Sequence, residues 1–196
     1  MKIGVILRKV DDRFTLNSEI EKVVSNYNGV IVGITSFNEE IINFVDGFIL
    51  QGGSDYSLED LKIVEYLYKN NIPTLGICLG MQLMCLITGA NFKKIENSNH
   101  FLPNEVFVHE VNIAKSSMFY EIIKKDKIKV NSRHCDSIYN TSLFISGVSD
   151  DGVIEVVEDK NNKFFLGVQW HPETNFEIDI NSKKLFDYYF NILNNK

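Results

Sequence analysis

Short apolar runs alternate with longer amphipathic stretches along the first half of this chain. Lys2–Leu7 reads as a buried strand. Ser18–Tyr27 carries Ile20, Val23, Val24 and Tyr27 at helical spacing and predicts a helix. Gly29–Ile34 and Gly47–Leu50 predict two more strands, the latter running into Gln51-Gly52-Gly53-Ser54-Asp55. Leu58–Lys69 predicts a second helix, with Leu61, Val64 and Leu67 among its apolar positions. Pro73–Ile77 then reads as a strand and Gly80–Thr88 as a helix. Apolar strands separated by helices predict an α/β fold: a mostly parallel central sheet flanked by helices on both faces.

The second half is patterned differently. Val106–Ile113, Lys127–Val130, Leu143–Ser146, Val153–Glu158 and Phe164–Val168 are short runs rich in Val, Ile and Phe, and predict a few extra antiparallel strands. Ser117–Ile123 predicts a short helix and Ser182–Leu193 a closing amphipathic one. No repeat, low-complexity block or linker interrupts the pattern, so residues 1–196 are expected to form a single domain.

Composition narrows the class. The chain has 196 residues, 44% apolar and 23% charged, as a globular domain with a sizeable core does. Its net charge of −6 and the lack of a Lys/Arg stripe argue against nucleic acid as the partner. No stretch approaches the ~20 apolar residues of a membrane span, and the start lacks the pattern of a signal peptide. Three cysteines, Cys78, Cys85 and Cys135, without CxxC spacing fit neither a disulfide framework nor a zinc site. A reduced, cytoplasmic setting without metal or cofactor is the expectation.

The chemistry concentrates at Cys78. Thr74-Leu75-Gly76-Ile77-Cys78-Leu79-Gly80-Met81-Gln82 has the layout of a nucleophile elbow: strand, tight turn, helix. There a thiol meets a helix N-terminus, which favours the thiolate, and its sulfur is expected to face solvent. Gly76 and Gly80 permit a strained turn and close backbone approach. Cys85, inside an apolar helical run, reads instead as a small core residue. Downstream, Gly167-Val168-Gln169-Trp170-His171-Pro172-Glu173 offers a base and a carboxylate to orient it. A backbone N–H at Gly53, paired with that of Leu79, suits an oxyanion. Each part has a structural reading too: a core cysteine, a histidine satisfied near a turn, a glycine turn after a strand.

The three motifs Leu50-Gln51-Gly52-Gly53-Ser54-Asp55, Gly76-Ile77-Cys78-Leu79-Gly80-Met81-Gln82 and Gly167–Glu173 resemble, in this order, those of class I glutamine amidotransferases. His109-Glu110-Val111-Asn112-Ile113, Val130-Asn131-Ser132-Arg133-His134 and Asp151-Gly152-Val153-Ile154-Glu155 are similar to the γ-glutamyl hydrolase-type branch, the C26 peptidase group. The resemblance implies a Cys78–His171–Glu173 triad acting on a γ-glutamyl amide through a thioester. It implies an oxyanion site at Gly53 and Leu79, a glutamyl-holding Gln82 and a pocket wall with Arg133 and His134. Two departures stand out: Leu79 where the branch commonly has Arg, and Cys135-Asp136 where it often has His-Gln. Both touch on the leaving group, for which Arg133, Lys127 and Lys129 either offer positive charge to an anion or are solvated surface charge. A free-standing hydrolase of a small γ-glutamyl compound, with no obligate synthase partner, is the expectation. A glutaminase subunit that hands ammonia to a synthase is the alternative, and a non-catalytic binding protein on the same scaffold is the third reading.

Overall fold

The computed structural model describes residues 1–96 and 100–195. Its centre is a nine-stranded sheet in the order β4-β1-β5-β6-β13-β12-β11-β8-β9. The strands β4 (Val30–Ile34), β1 (Lys2–Ile6), β5 (Gly47–Leu50), β6 (Thr74–Ile77) and β13 (Phe165–Val168) are parallel neighbours. From β13 the sheet continues antiparallel through β12 (Ile154–Glu158), β11 (Phe144–Ser149), β8 (His109–Ile113) and β9 (Lys127–Val130). All nine correspond to apolar runs in the sequence. The run at Val106–Ile113 starts later than its apolar residues suggest, at His109, and Val106 and Phe107 are exposed.

Side chains alternate across this sheet, and each face has its own core. On one face Ile3, Val5, Ile49, Leu75, Leu166 and Val168 meet α1 (Ser18–Asn26), α5 (Met118–Ile123) and α6 (Ile180–Asn194). On the other, Ile6, Phe48, Leu50, Phe165 and Val157 meet α2 (Glu39–Phe44), α3 (Leu58–Lys69) and α4 (Leu79–Leu86). Local chemistry sets the helix ends. Asn17, Ser57 and Asp179 accept hydrogen bonds from backbone N–H groups at the starts of α1, α3 and α6. Asp179 starts α6 at Ile180, ahead of the expected Ser182.

Two strand pairs and one helix lie outside the sequence expectations, each for a visible reason. The hairpin β2 (Arg8–Val10) and β3 (Arg13–Thr15) has three-residue strands that are mostly exposed and highly charged. The pair β7 (Asn91–Lys94) and β10 (Asp136–Tyr139) is likewise short and polar. Helix α2 buries only Ile42.

Parallel pairing is what places the site. β5, β6 and β13 lie side by side, with Leu50 opposite Gly76 and Ile77 opposite Val168. Their carboxyl ends therefore release Gln51–Gly53, Cys78 and Gln169–His171 at one edge of the sheet, where ligand sites of open α/β sheets form. Gly80 lets α4 leave this edge against β5. A Cβ there would lie 2.1 Å from the carbonyl oxygen of Leu50. Gly80→Ala is expected to destabilise the fold by about 3 kcal/mol or more, since backbone cannot yield as a side chain does; the shift in urea midpoint measures it.

Candidate active site

Cys78 has φ 51° and ψ −110°, a region that non-glycine residues rarely occupy. Two hydrogen bonds hold it there: its N–H donates to Val168 O at 2.8 Å, and its carbonyl accepts from Gln82 N at 3.1 Å. The strain thus falls on Cys78 itself. The flanking glycines serve close packing instead. The thiol residue is only 7% exposed, which corrects the expectation of a solvent-facing sulfur. It opens into a cavity of ≈ 570 Å³ rather than bulk water, together with Gly53, Leu79, Gln82, Arg133, His134 and His171. Cys85, as expected, is core: fully buried, with burial pushing its thiol up to about 12.

His171 meets Cys78 across Gly52. A Cβ on Gly52 would lie 2.8 Å from His171 Cε1 and 3.5 Å from Cys78 Cβ, so no side chain fits between them. The imidazole Nδ1 is 2.7 Å from Glu173 Oε1. An ionised carboxylate only accepts, so Nδ1 carries the hydrogen and Nε2 is the nitrogen left for proton transfer. Burial alone pushes His171 down. The charge of Glu173, with hydrogen bonding and charge from Cys78, outweighs this and raises it to about 10. The site thus favours an imidazolium at His171 beside the Cys78 sulfur.

The supporting contacts come from residues whose roles the sequence did not reveal. Asn131, fully buried, clamps the backbone of His171 from both sides. Its Oδ1 accepts from His171 N at 2.9 Å, and its Nδ2 donates to His171 O at 2.8 Å. Asn17, the cap of α1, also donates to Glu173 Oε1 at 3.2 Å. Gln51 accepts from Asn17 N at 2.8 Å and donates to the carbonyls of Ile6 and Thr15. Gln169 joins Gln82 to the nucleophile: its Oε1 accepts from Gln82 Nε2 at 3.2 Å, and its Nε2 lies 3.6 Å from Cys78 Sγ. For Gln51, Asn131 and Gln169 the available signal was a polar residue at the carboxyl end of an apolar strand.

Arg8 sets the direction of the Gly53 amide. Its guanidinium donates to Gln51 O at 2.8 Å and Gly52 O at 3.4 Å, and pairs with Asp60 at 3.1 Å. In a trans peptide the C=O and N–H point opposite ways. With the Gly52 carbonyl held toward Arg8, the Gly53 N–H is turned away from it. Gly53 and Leu79, at the start of α4, both border the cavity that holds Cys78.

The remaining expected residues divide. Gln82 and Arg133 line the cavity, and Arg133 Nε is buried without a hydrogen-bond partner among the described residues. His134 lines it too, but both its nitrogens are engaged: Nδ1 by Asp136 O at 3.1 Å, and Nε2 by His100 and Glu155 at 3.3 and 3.5 Å. Lys127 pairs with Glu110 and Asp150 on the surface, and neither it nor Lys129 lines the cavity.

Residues 57–173 match the Peptidase C26 family model. The chain belongs to the Peptidase C26 family. Membership supports an amide-cleaving hydrolase of the glutamine amidotransferase class. Among curated relatives, the CTP synthase of Nautilia profundicola is 28% identical over 197 residues, covering 78% of this chain and 36% of that protein. The chain spans between 27% and 41% of the length of the CTP synthases it matches. The fold is shared with the glutaminase domain of Trypanosoma brucei CTPS with bound acivicin (TM-score 0.76, 18% identity, covering 100% of this chain and 94% of that one). It is shared too with a glutamine amidotransferase from Thermotoga maritima (TM-score 0.68, 19% identity, 99% and 84% covered). Among the described residues no helix is long and apolar enough to cross a membrane.

Two predictions follow from this geometry. The folded value of His171 lies above its ordinary 6.5, so folding takes up a proton between the two. The stabilisation is complete below pH 6.5 and is lost as pH rises toward about 10. Urea midpoints are expected to fall over that window, and to fall less in His171→Asn. Asn131→Ala frees the His171 backbone and is expected to lower kcat by about 10- to 100-fold with little change in KM, since misplacing a proton-transfer group acts on chemistry more than on binding; steady-state kinetics separate the two.

Proposed function

We propose that this chain hydrolyses a γ-glutamyl amide, with Cys78 as nucleophile, His171 as acid and base, and Glu173 as the carboxylate that orients it. The observation that carries this reading is the meeting of Cys78 and the Glu173-bound His171 across Gly52, at one wall of a cavity. Residues 1–196 act as one catalytic domain, and the steps call for no cofactor.

The Cys78 thiolate attacks the γ-carbonyl carbon, and its π electrons move to oxygen. The resulting oxyanion is met by the N–H groups of Gly53 and Leu79. Collapse breaks the C–N bond, and the departing nitrogen takes the proton from His171. This leaves a γ-glutamyl thioester on Cys78. Water then attacks the thioester carbonyl while His171 removes its proton, releasing L-glutamate and regenerating the thiolate–imidazolium pair. A reduced cytoplasmic setting suits such a thiol.

Gln82 helps to hold the glutamyl part. Arg133, at the cavity with an unpartnered Nε, favours an anionic leaving group. γ-Glutamyl-CDP-amidate, which would yield CDP-amidate for capsule phosphoramidate synthesis, is a substrate of that chemistry.

A second reading is supported by the resemblance to CTP synthases, of whose length this chain spans only part. Here the chain is the glutaminase that supplies ammonia to a separate synthase. Leu79 after the nucleophile fits it, and exposed Tyr56 and Phe101 at the cavity offer a partner apolar surface.

Mass spectrometry of products from the lone chain separates the readings, with glutamine, simple γ-glutamyl amides and γ-glutamyl-CDP-amidate as substrates. The hydrolase reading expects turnover of a γ-glutamyl conjugate without a partner. Turnover of glutamine alone, and only with a synthase added, would replace it by the second. Under either reading Cys78→Ala is expected to abolish turnover with the fold intact, and Glu173→Gln to be milder than His171→Ala. Activity retained in Cys78→Ala would sink the mechanism.

A further inference from the structure

Behind the cavity wall lies a second cluster of chemically capable side chains, unused by the proposed reaction. Glu155, on β12, is fully buried. Its Oε1 lies 3.2 Å from His109 Nε2, 3.5 Å from His100 Nδ1 and 3.5 Å from His134 Nε2. These are approaches without hydrogen-bond alignment. Neither oxygen of Glu155 and neither nitrogen of His109 has a hydrogen-bond partner among the described residues. Buried polar groups left in this state are rare in folded proteins, and an ion is one of the things that satisfies them.

The outer hydrogen bonds fix what the inner nitrogens present. His100 Nε2 lies 2.9 Å from Asp151 Oδ2, an acceptor, so in the neutral ring it carries the hydrogen and Nδ1 carries a lone pair. His134 Nδ1 lies 3.1 Å from the backbone oxygen of Asp136, also an acceptor, so Nε2 carries the lone pair. These two lone pairs face each other at 3.3 Å, with the Glu155 carboxylate beside both. Such a convergence is repulsive unless a positive charge, a proton or a metal ion, sits among the atoms.

The spacing says which charge fits. Zn²⁺ binds imidazole nitrogen and carboxylate oxygen at about 2.0–2.1 Å in tetrahedral sites, which puts neighbouring ligand atoms about 3.3–3.4 Å apart. Glu155 Oε1 lies 3.2 Å from His109 Nε2 and 3.5 Å from His100 Nδ1, and the ligand atoms of these three residues all lie within 4.8 Å of one another. Hydrogen-bonded carboxylate and carbonyl partners behind ligating histidines are what such sites use to fix the tautomer. Asp151 stands in that place behind His100. We propose that His100, His109 and Glu155 hold one divalent transition metal ion, Zn²⁺ by its ligand set, with His134 beside the site. The site is separate from Cys78 and braces the His134 side of the cavity from behind.

The test uses the full chain, stripped with chelator and dialysed against Zn²⁺, with bound metal measured by elemental mass spectrometry. One Zn²⁺ per chain is expected, retained in Cys78→Ala so that the active-site thiol is not the ligand. Co²⁺ in its place is expected to give the intense visible bands of a tetrahedral site. His109→Asn and Glu155→Gln are expected to abolish stoichiometric uptake. Asp151→Asn, which keeps every ligand, is expected to weaken it about 10- to 100-fold, and so serves where a ligand variant fails to fold. No stoichiometric uptake by the wild-type chain overturns the proposal, as does uptake lost in Cys78→Ala but kept in His109→Asn. In either case the cluster is a proton-linked structural network.

Discussion

The backbone of Cys78 is the constraint on which the site depends. A non-glycine residue in so sparsely populated a conformation costs on the order of 1–3 kcal/mol and persists only where its surroundings over-determine it. Here they do. Cys78 N is tied to Val168 O of the neighbouring parallel strand, and Cys78 O is tied into the first turn of α4. Strand pairing and helix start each fix one side of one residue. The thiol consequently leaves the sheet edge in a single direction, toward His171.

Around that residue, order is kept by buried polar groups rather than by loop length. Arg8, Gln51, Asn131, Gln169 and Glu173 are each under a tenth exposed, and all but Glu173 act on backbone or on another buried side chain. Together they tie β1, the hairpin, α1, β5, β9 and β13 to one another. Such a network is costly if half satisfied and rigid if complete. The unpartnered second oxygen of Glu173 is its one visible shortfall among these residues. The network leaves little freedom at His171, whose backbone and ring are both held.

Much of this was legible in the sequence. All strands of the main sheet but β4 have a largely buried face, so their apolar runs announce them; β4, with only Ile34 buried, is announced by its Val and Ile, and the alternation with helices gives the parallel half. Cys78, His171 and Glu173 sit in motifs short enough to read directly. What was not legible has a common cause. Arg8, Asn17 and Asn131 act across sequence separations of 44, 156 and 40 residues, and nothing local names the partner of a polar side chain when that partner is far along the chain. His134 shows the opposite problem. Its place on the cavity wall was readable, but its nitrogens are engaged by His100, Glu155 and Asp136, two of them on segments remote in sequence. The hairpin β2–β3 and the pair β7–β10 bury too little to leave a pattern.

Asn131 sits where two tasks meet. It grips the base that would act on the scissile bond, yet it lies directly before the segment whose Arg133, His134, Cys135 and Asp136 line the cavity. In most enzymes a specificity loop is exchangeable, and grafting it redirects a scaffold to a new substrate. In this fold the graft would have to begin after Asn131. A swap that includes it would change the reaction rate along with the preference, so diversification is confined to the few positions from Ser132 onward.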